Sequence, residues 1–113
     1  MMERPIEARL FAIQRVTALV LAPLVLVHLG LILWAVEGGL TAAEILGRTR
    51  GSLVWTAFYG VFVFAAATHG AIGLRNILVE WARMARPAAA KISLGVASIL
   101  LVLGLRAVWA VFA

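Results

Sequence analysis

The chain has 113 residues and no cysteine, with ten lysines and arginines against five acidic residues and a mean hydropathy of +1.08. Hydrophobic residues make up 65% and charged residues 13%, where soluble domains carry about half and about a quarter, so a water-soluble enzyme of this size is excluded. Without cysteine there is no disulfide framework, zinc ribbon or thiolate-held iron–sulfur cluster. The net charge of +5 would suggest nucleic acid in a soluble protein; here it becomes a question of where the charges sit along a membrane normal.

Three apolar runs, from about Leu10 to Val36, Leu53 to Val79 and Ile92 to Phe112, approach or exceed the roughly 20 residues that cross a hydrocarbon core. Apolar and polar positions do not alternate, which argues against a β-barrel. The first run is longer than the roughly 7–15 apolar residues of a signal peptide and is read as a retained helix. Glu37, Gly38 and Gly39 close it. Thr41, followed three residues later by Glu44, predicts a capped short interfacial helix. Gly47 to Ser52 lead into the second span, and Arg83, Arg86 and Pro87 separate the second from the third. The expected fold is an all-α membrane protein, a single transmembrane anchor domain over residues 1–113, forming part of a larger helical bundle.

Orientation follows from the basic residues. Three spans place the N-terminus and second loop on one side, with Arg4, Arg9, Arg15, Arg83, Arg86 and Lys91, against Arg48, Arg50 and Arg106 on the other. The positive-inside rule then puts the N-terminus in the cytoplasm. Trp34, Trp55, Trp81 and Trp109 fall near the span ends, as an aromatic belt requires.

Polar residues within apolar spans are costly and therefore informative. The first span holds Gln14, Arg15, Thr17 and His28; the second holds Thr68, His69, Arg75, Asn76 and Glu80. At about 100° per residue, His69, Gly73, Asn76 and Glu80 share one face within roughly 40°. Gly73 removes a side chain one turn from His69, and Ala65, Ala66 and Ala67 keep the preceding turn small. That clearance suits a flat group with imidazole as axial ligand, which haem fits; the same small residues also serve plain helix packing. Gln14, Thr17, Leu21 and His28 form a second stripe; Thr17 to His28 and Glu80 to His69 are each eleven residues, about 16 Å of rise, which with Thr17 level with Glu80 places the two histidines at similar depth. Arg15 points off that stripe and reads either as a snorkelling anchor or as a cation for a propionate or quinone. Arg75 and Glu80, one turn from the surface, read as solvated charges.

Phosphate-binding glycine loops, metalloprotease helices, paired catalytic carboxylates and nucleic-acid stripes are missing from the sequence. Three helices are also too few for a common inverted-repeat transporter, which points to a role within a larger complex.

The stretches QRVTALVLAPLVLVHL, from Gln14 to Leu29, and HGAIGLRNILVEW, from His69 to Trp81, resemble the small haem-b membrane-anchor subunits of succinate dehydrogenase and fumarate reductase, respiratory complex II. The nearest likeness is to the smaller succinate dehydrogenase anchor. It covers nearly the whole chain: Arg then Thr at the start of helix one, the loop at Gly39, Leu40 and Thr41, a His-x-x-x-Gly second helix ending in an acid and an aromatic, and a plain third helix. The resemblance implies a non-catalytic subunit of a succinate:quinone oxidoreductase or fumarate reductase, without a succinate active site. It implies haem b, one or two, with quinone as substrate. The implied partners are a second membrane-anchor subunit, a flavoprotein subunit, an iron–sulfur subunit and membrane lipid; the charges, read as topology signals, leave no nucleic acid among the expected partners. The implied location is the bacterial inner (cytoplasmic) membrane, multi-pass.

By the same resemblance His69 matches the axial haem ligand, and Arg15 matches a residue near the haem propionates and quinone, a vicinity shared with Gln14, Thr17, Glu80 and Trp81. Glu80 and Trp81 stand where the smaller anchor usually has Asp and Tyr; an indole N–H donates a hydrogen bond but cannot accept one. His28 departs from the one-haem anchors and is the second candidate ligand. It would serve a second haem, pair with His69 on one haem, or pack as a polar contact. Two other readings stand beside this one: a haem-free structural or assembly subunit, and a small transporter accessory using His69 and Glu80 as a proton path.

Overall fold

The computed structural model describes residues 3–113, with side chains from Pro5 onward; the side chain of Arg4, one of the basic topology signals, lies outside the described residues. Helix α1 spans Glu3–Gly38, α2 Ala42–Thr49, α3 Leu53–Glu80 and α4 Arg86–Phe112. Among the described residues there is no strand. Three of the helices are long and apolar enough to cross a membrane: Pro5–Gly38, Leu53–Glu80 and Arg86–Phe112.

The helix ends follow local chemistry. Gly39 adopts φ +117° and its N–H donates to the Ala35 carbonyl at 2.8 Å, stopping α1 with a backbone conformation that L side chains resist. Thr41 Oγ1 then accepts from the Glu44 N–H at 3.2 Å, giving α2 the N-cap expected from the sequence. Ser52 caps α3 through the Trp55 N–H at 3.3 Å. Two boundaries differ from expectation. Helix α1 begins seven residues before Leu10, and α4 begins at Arg86 with Pro87 in its first turn, where proline's missing N–H costs nothing. Arg86 and Pro87 thus open the last helix, and the separator is the loop after Glu80.

Helix α3 is central, packed against α4 along one side and α1 along another. Its approach to α4 relies on small residues: Ala67, Ala89 and Ser93 are buried, and a Cβ on Gly104 would lie 2.5 Å from Val63 Cγ1, so glycine is what allows this crossing. Helix α2 lies by the end of α4, and the Gly51 N–H donates to the Phe112 carbonyl at 2.8 Å. Among the described residues, the buried hydrophobic ones apart from Ile72 are all alanine. Large apolar side chains such as Leu19, Leu53 and Leu94 face outward, the pattern of a bundle whose solvent is lipid or other helices. The chain is an integral, multi-pass membrane protein.

Candidate functional site

Helices α1 and α3 meet as an antiparallel pair whose contacts step steadily through the membrane. At the N-terminal end of α1, Glu7 pairs with Arg75. Further along, Gln14 lies over Gly73, where an added Cβ would sit 3.4 Å from Gln14 Nε2. Next, Thr17 Oγ1 lies 3.1 Å from His69 Nδ1. Toward the far end, His28 meets Tyr59 and Phe62 edge-on, with ring centroids 5.9 and 5.4 Å apart.

This register corrects the expected depths. Thr17 is level with His69, so His28, eleven residues further along α1, lies about 16 Å away at 1.5 Å per residue. The early start of α1 is the reason, because its added turns set Glu7 at the level of Arg75 and move Thr17 from the level of Glu80 to that of His69. Two imidazoles so far apart cannot flank one iron atom.

His69 is half-buried, and its one hydrogen-bond partner among the described residues is Thr17, at Nδ1. Nε2 has no hydrogen-bond partner among the described residues. Gln14 Oε1 is buried without a hydrogen-bond partner, so a second unsatisfied polar atom stands one turn away on the facing helix. The clearance at Gly73 is used in part by Gln14, which approaches α3 closely because no side chain stands there. The small residue at Gly73 thus serves the close packing of α1 on α3.

The other expected site residues divide. Arg15 is exposed, with its guanidinium 5.0 Å from the ring centre of Phe11 on its own helix. Glu80 and Trp81 end α3 at the rim; Trp81 is 82% exposed. Neither has a hydrogen bond to the Thr17–His69 pair, so within this chain the site separates into a half-buried seam and an outward-facing rim.

Arg75 is not a solvated charge. Its side chain is only 11% exposed; Nη1 donates to Asn76 Oδ1 at 3.2 Å, and both terminal nitrogens reach the Glu7 carboxylate. Arg86 Nε approaches the same carboxylate at 3.9 Å. Sequence reasoning missed the pair because its members lie 68 positions apart; a basic residue inside an apolar run was the available signal that a partner exists.

His28 lies in an aromatic cluster. Trp55 stacks near Tyr59 at 6.0 Å with planes 27° apart, and Arg48 covers the Trp34 ring at 5.1 Å. The cavity bordered by His28, Trp34, Arg48, Trp55 and Tyr59 measures about 160 Å³, below the roughly 300–1,000 Å³ of ordinary small-molecule and cofactor clefts. Among the described residues, no three metal-ligating side chains converge.

Comparison with known protein families matches residues 1–110 to the family described as the succinate dehydrogenase/fumarate reductase transmembrane subunit. No curated protein and no solved structure gives a significant match.

Proposed function

We propose, on the premise that the chain belongs to the succinate dehydrogenase/fumarate reductase transmembrane subunit family, that it is the haem b-binding anchor of such a complex and that His69 is an axial ligand through Nε2. The observation that carries this reading is a half-buried histidine within a membrane helix whose chain partner holds only Nδ1. An imidazole with one nitrogen anchored and the other open is the arrangement a metal-ligating histidine needs. The unpartnered Gln14 Oε1 beside it adds a polar group with capacity to spare.

Bound haem would supply a one-electron store between an iron–sulfur chain and quinone. The chain's own residues would hold and orient. Thr17 and His69 fix the ligand within the seam, whereas Arg15, Glu80 and Trp81 face outward, where a quinone headgroup and the neighbouring subunits would lie. Arg15 supplies the cation in that vicinity, and Trp81 can donate but not accept a hydrogen bond. Because His28 is about 16 Å further along α1, His69 alone of this chain's two histidines would hold such a haem, and the second anchor subunit would supply any further ligand. His28 itself is assigned to packing: its ring is edge-on to Tyr59 and Phe62 and the adjoining cavity is small. The flavoprotein and iron–sulfur subunits would dock on the cytoplasmic face, in the inner membrane of a bacterium.

The test is a reduced-minus-oxidised spectrum of the purified complex. His69→Ala is expected to abolish the b-type signal while leaving the subunits assembled. An unchanged signal would remove His69 as ligand, and full quinone reductase activity from a native complex without haem absorbance would select a purely structural anchor.

A further inference from the structure

We infer that Thr17 is a positioning residue: its hydroxyl holds His69 as the Nδ1–H tautomer and strengthens Nε2 as an electron donor. This rests on the proposal that His69 is an axial ligand. The inference comes from proton accounting around a single oxygen. Thr17 Oγ1 lies 2.9 Å from the Ile13 carbonyl, 3.0 Å from the Gln14 carbonyl and 3.1 Å from His69 Nδ1. A hydroxyl has one proton to give and lone pairs to accept. Two of its three neighbours are carbonyl oxygens, which can only accept, so the imidazole is the one neighbour able to donate.

One assignment serves these contacts best, with the single hydroxyl proton shared between the two carbonyls. The Thr17 proton turns back toward the main chain of α1, as threonine hydroxyls in helices commonly do, and Nδ1–H donates to the lone pair that remains. The opposite assignment, with Thr17 donating to Nδ1, leaves two close oxygen–oxygen contacts without a proton between them. It also puts the ring proton on Nε2, where it would block coordination. In an apolar bundle water does not offer an alternative partner. The geometry thus selects the tautomer with a free Nε2 lone pair before any ligand arrives.

The same bond sets donor strength. A hydrogen bond from the distal N–H of an imidazole ligand raises the basicity of the coordinating nitrogen and fixes the ring orientation. A more basic ligand favours the oxidised metal, so removing the acceptor should raise the midpoint potential. Threonine rather than carboxylate makes the effect moderate, because a neutral hydroxyl does not pull the ring toward imidazolate.

The assembled complex carrying Thr17→Val, Thr17→Ser or His69→Ala tests this. Thr17→Val keeps shape and removes the acceptor; Thr17→Ser restores it. The expected result is a b-type signal retained in Thr17→Val with its midpoint shifted upward. The expected size is on the order of tenfold in the ratio of affinities for oxidised and reduced iron, about 59 mV for one electron; Thr17→Ser should remain near the parent. Loss of haem in Thr17→Val with retention in Thr17→Ser also supports the hydroxyl's role. An unshifted midpoint in Thr17→Val while His69→Ala abolishes the signal overturns this inference alone. Equal shifts or equal haem loss in Val and Ser variants do the same, by pointing to packing. A normal signal in His69→Ala overturns the ligand assignment beneath it.

Discussion

At the residue scale, the Glu7–Arg75 pair shows how a charge is kept inside an apolar span. Arg75 has 11% of its side chain exposed and Glu7 38%, so one partner is deeply desolvated and the other sits at the edge. Deleting the outer partner leaves the inner charge without compensation, which is more costly than losing both. Glu7→Gln is therefore expected to destabilise the chain by about 1–3 kcal/mol, reduced from the fully buried case by solvent near Glu7. Glu7→Gln combined with Arg75→Gln should recover part of that loss. Thermal unfolding of the detergent-solubilised complex measures both; a double variant no more stable than Glu7→Gln alone would contradict the pairing. His69 and Thr17 follow a related logic without a charge, because each satisfies the other's polar atom in the α1–α3 seam.

At the element scale, hydropathy gives the number and approximate centres of the long helices, since crossing a membrane demands an unbroken apolar run. Its legibility ends at the helix tips. The apolar run begins only near Leu10, whereas α1 starts at Glu3, because a helix may carry charge freely once it leaves the hydrocarbon; Pro87, expected to separate the spans, instead initiates the last one. The histidine stripe on α3 was legible from period alone. The partner of each polar residue was not, because register between helices depends on how far α1 extends, and a few extra turns moved Thr17 from the level of Glu80 to that of His69. The crossing of α3 and α4 gives the element-scale prediction. A Cβ at Gly104 would press Val63 at 2.5 Å, and Val63 is too short and branched to swing aside. Gly104→Ala should cost about 1–3 kcal/mol through overpacking, Gly104→Val more, and Val63→Ala should relieve Gly104→Ala. Melting temperatures of the three variants decide it, with an unchanged Gly104→Ala counting against the close crossing.

At the scale of the whole molecule, the charge that first suggested nucleic acid acts instead as an address along the membrane normal. The extents of 53 × 24 × 23 Å describe a rod longer than the roughly 30 Å hydrocarbon core, so both ends project into headgroups. One end carries Arg9, Arg83, Arg86 and Lys91; the other carries Arg48 and Arg50. Only short segments near the spans count toward orientation, and every one of these residues meets that condition. The loop after Glu80 should therefore face the cytoplasm and the α2 loop the opposite side. Single cysteines introduced at Ala82 and at Ala43, into a chain that has none of its own, report this directly. In intact cells a membrane-impermeant thiol reagent should label the Ala43→Cys variant and spare Ala82→Cys, which should become reactive only after permeabilisation. The reverse pattern would invert the bundle and move Arg15, Glu80 and Trp81 to the face away from cytoplasmic partners. The proposed site would then lose its route to an iron–sulfur subunit while the helices themselves stayed unchanged, so the labelling separates the orientation from the fold.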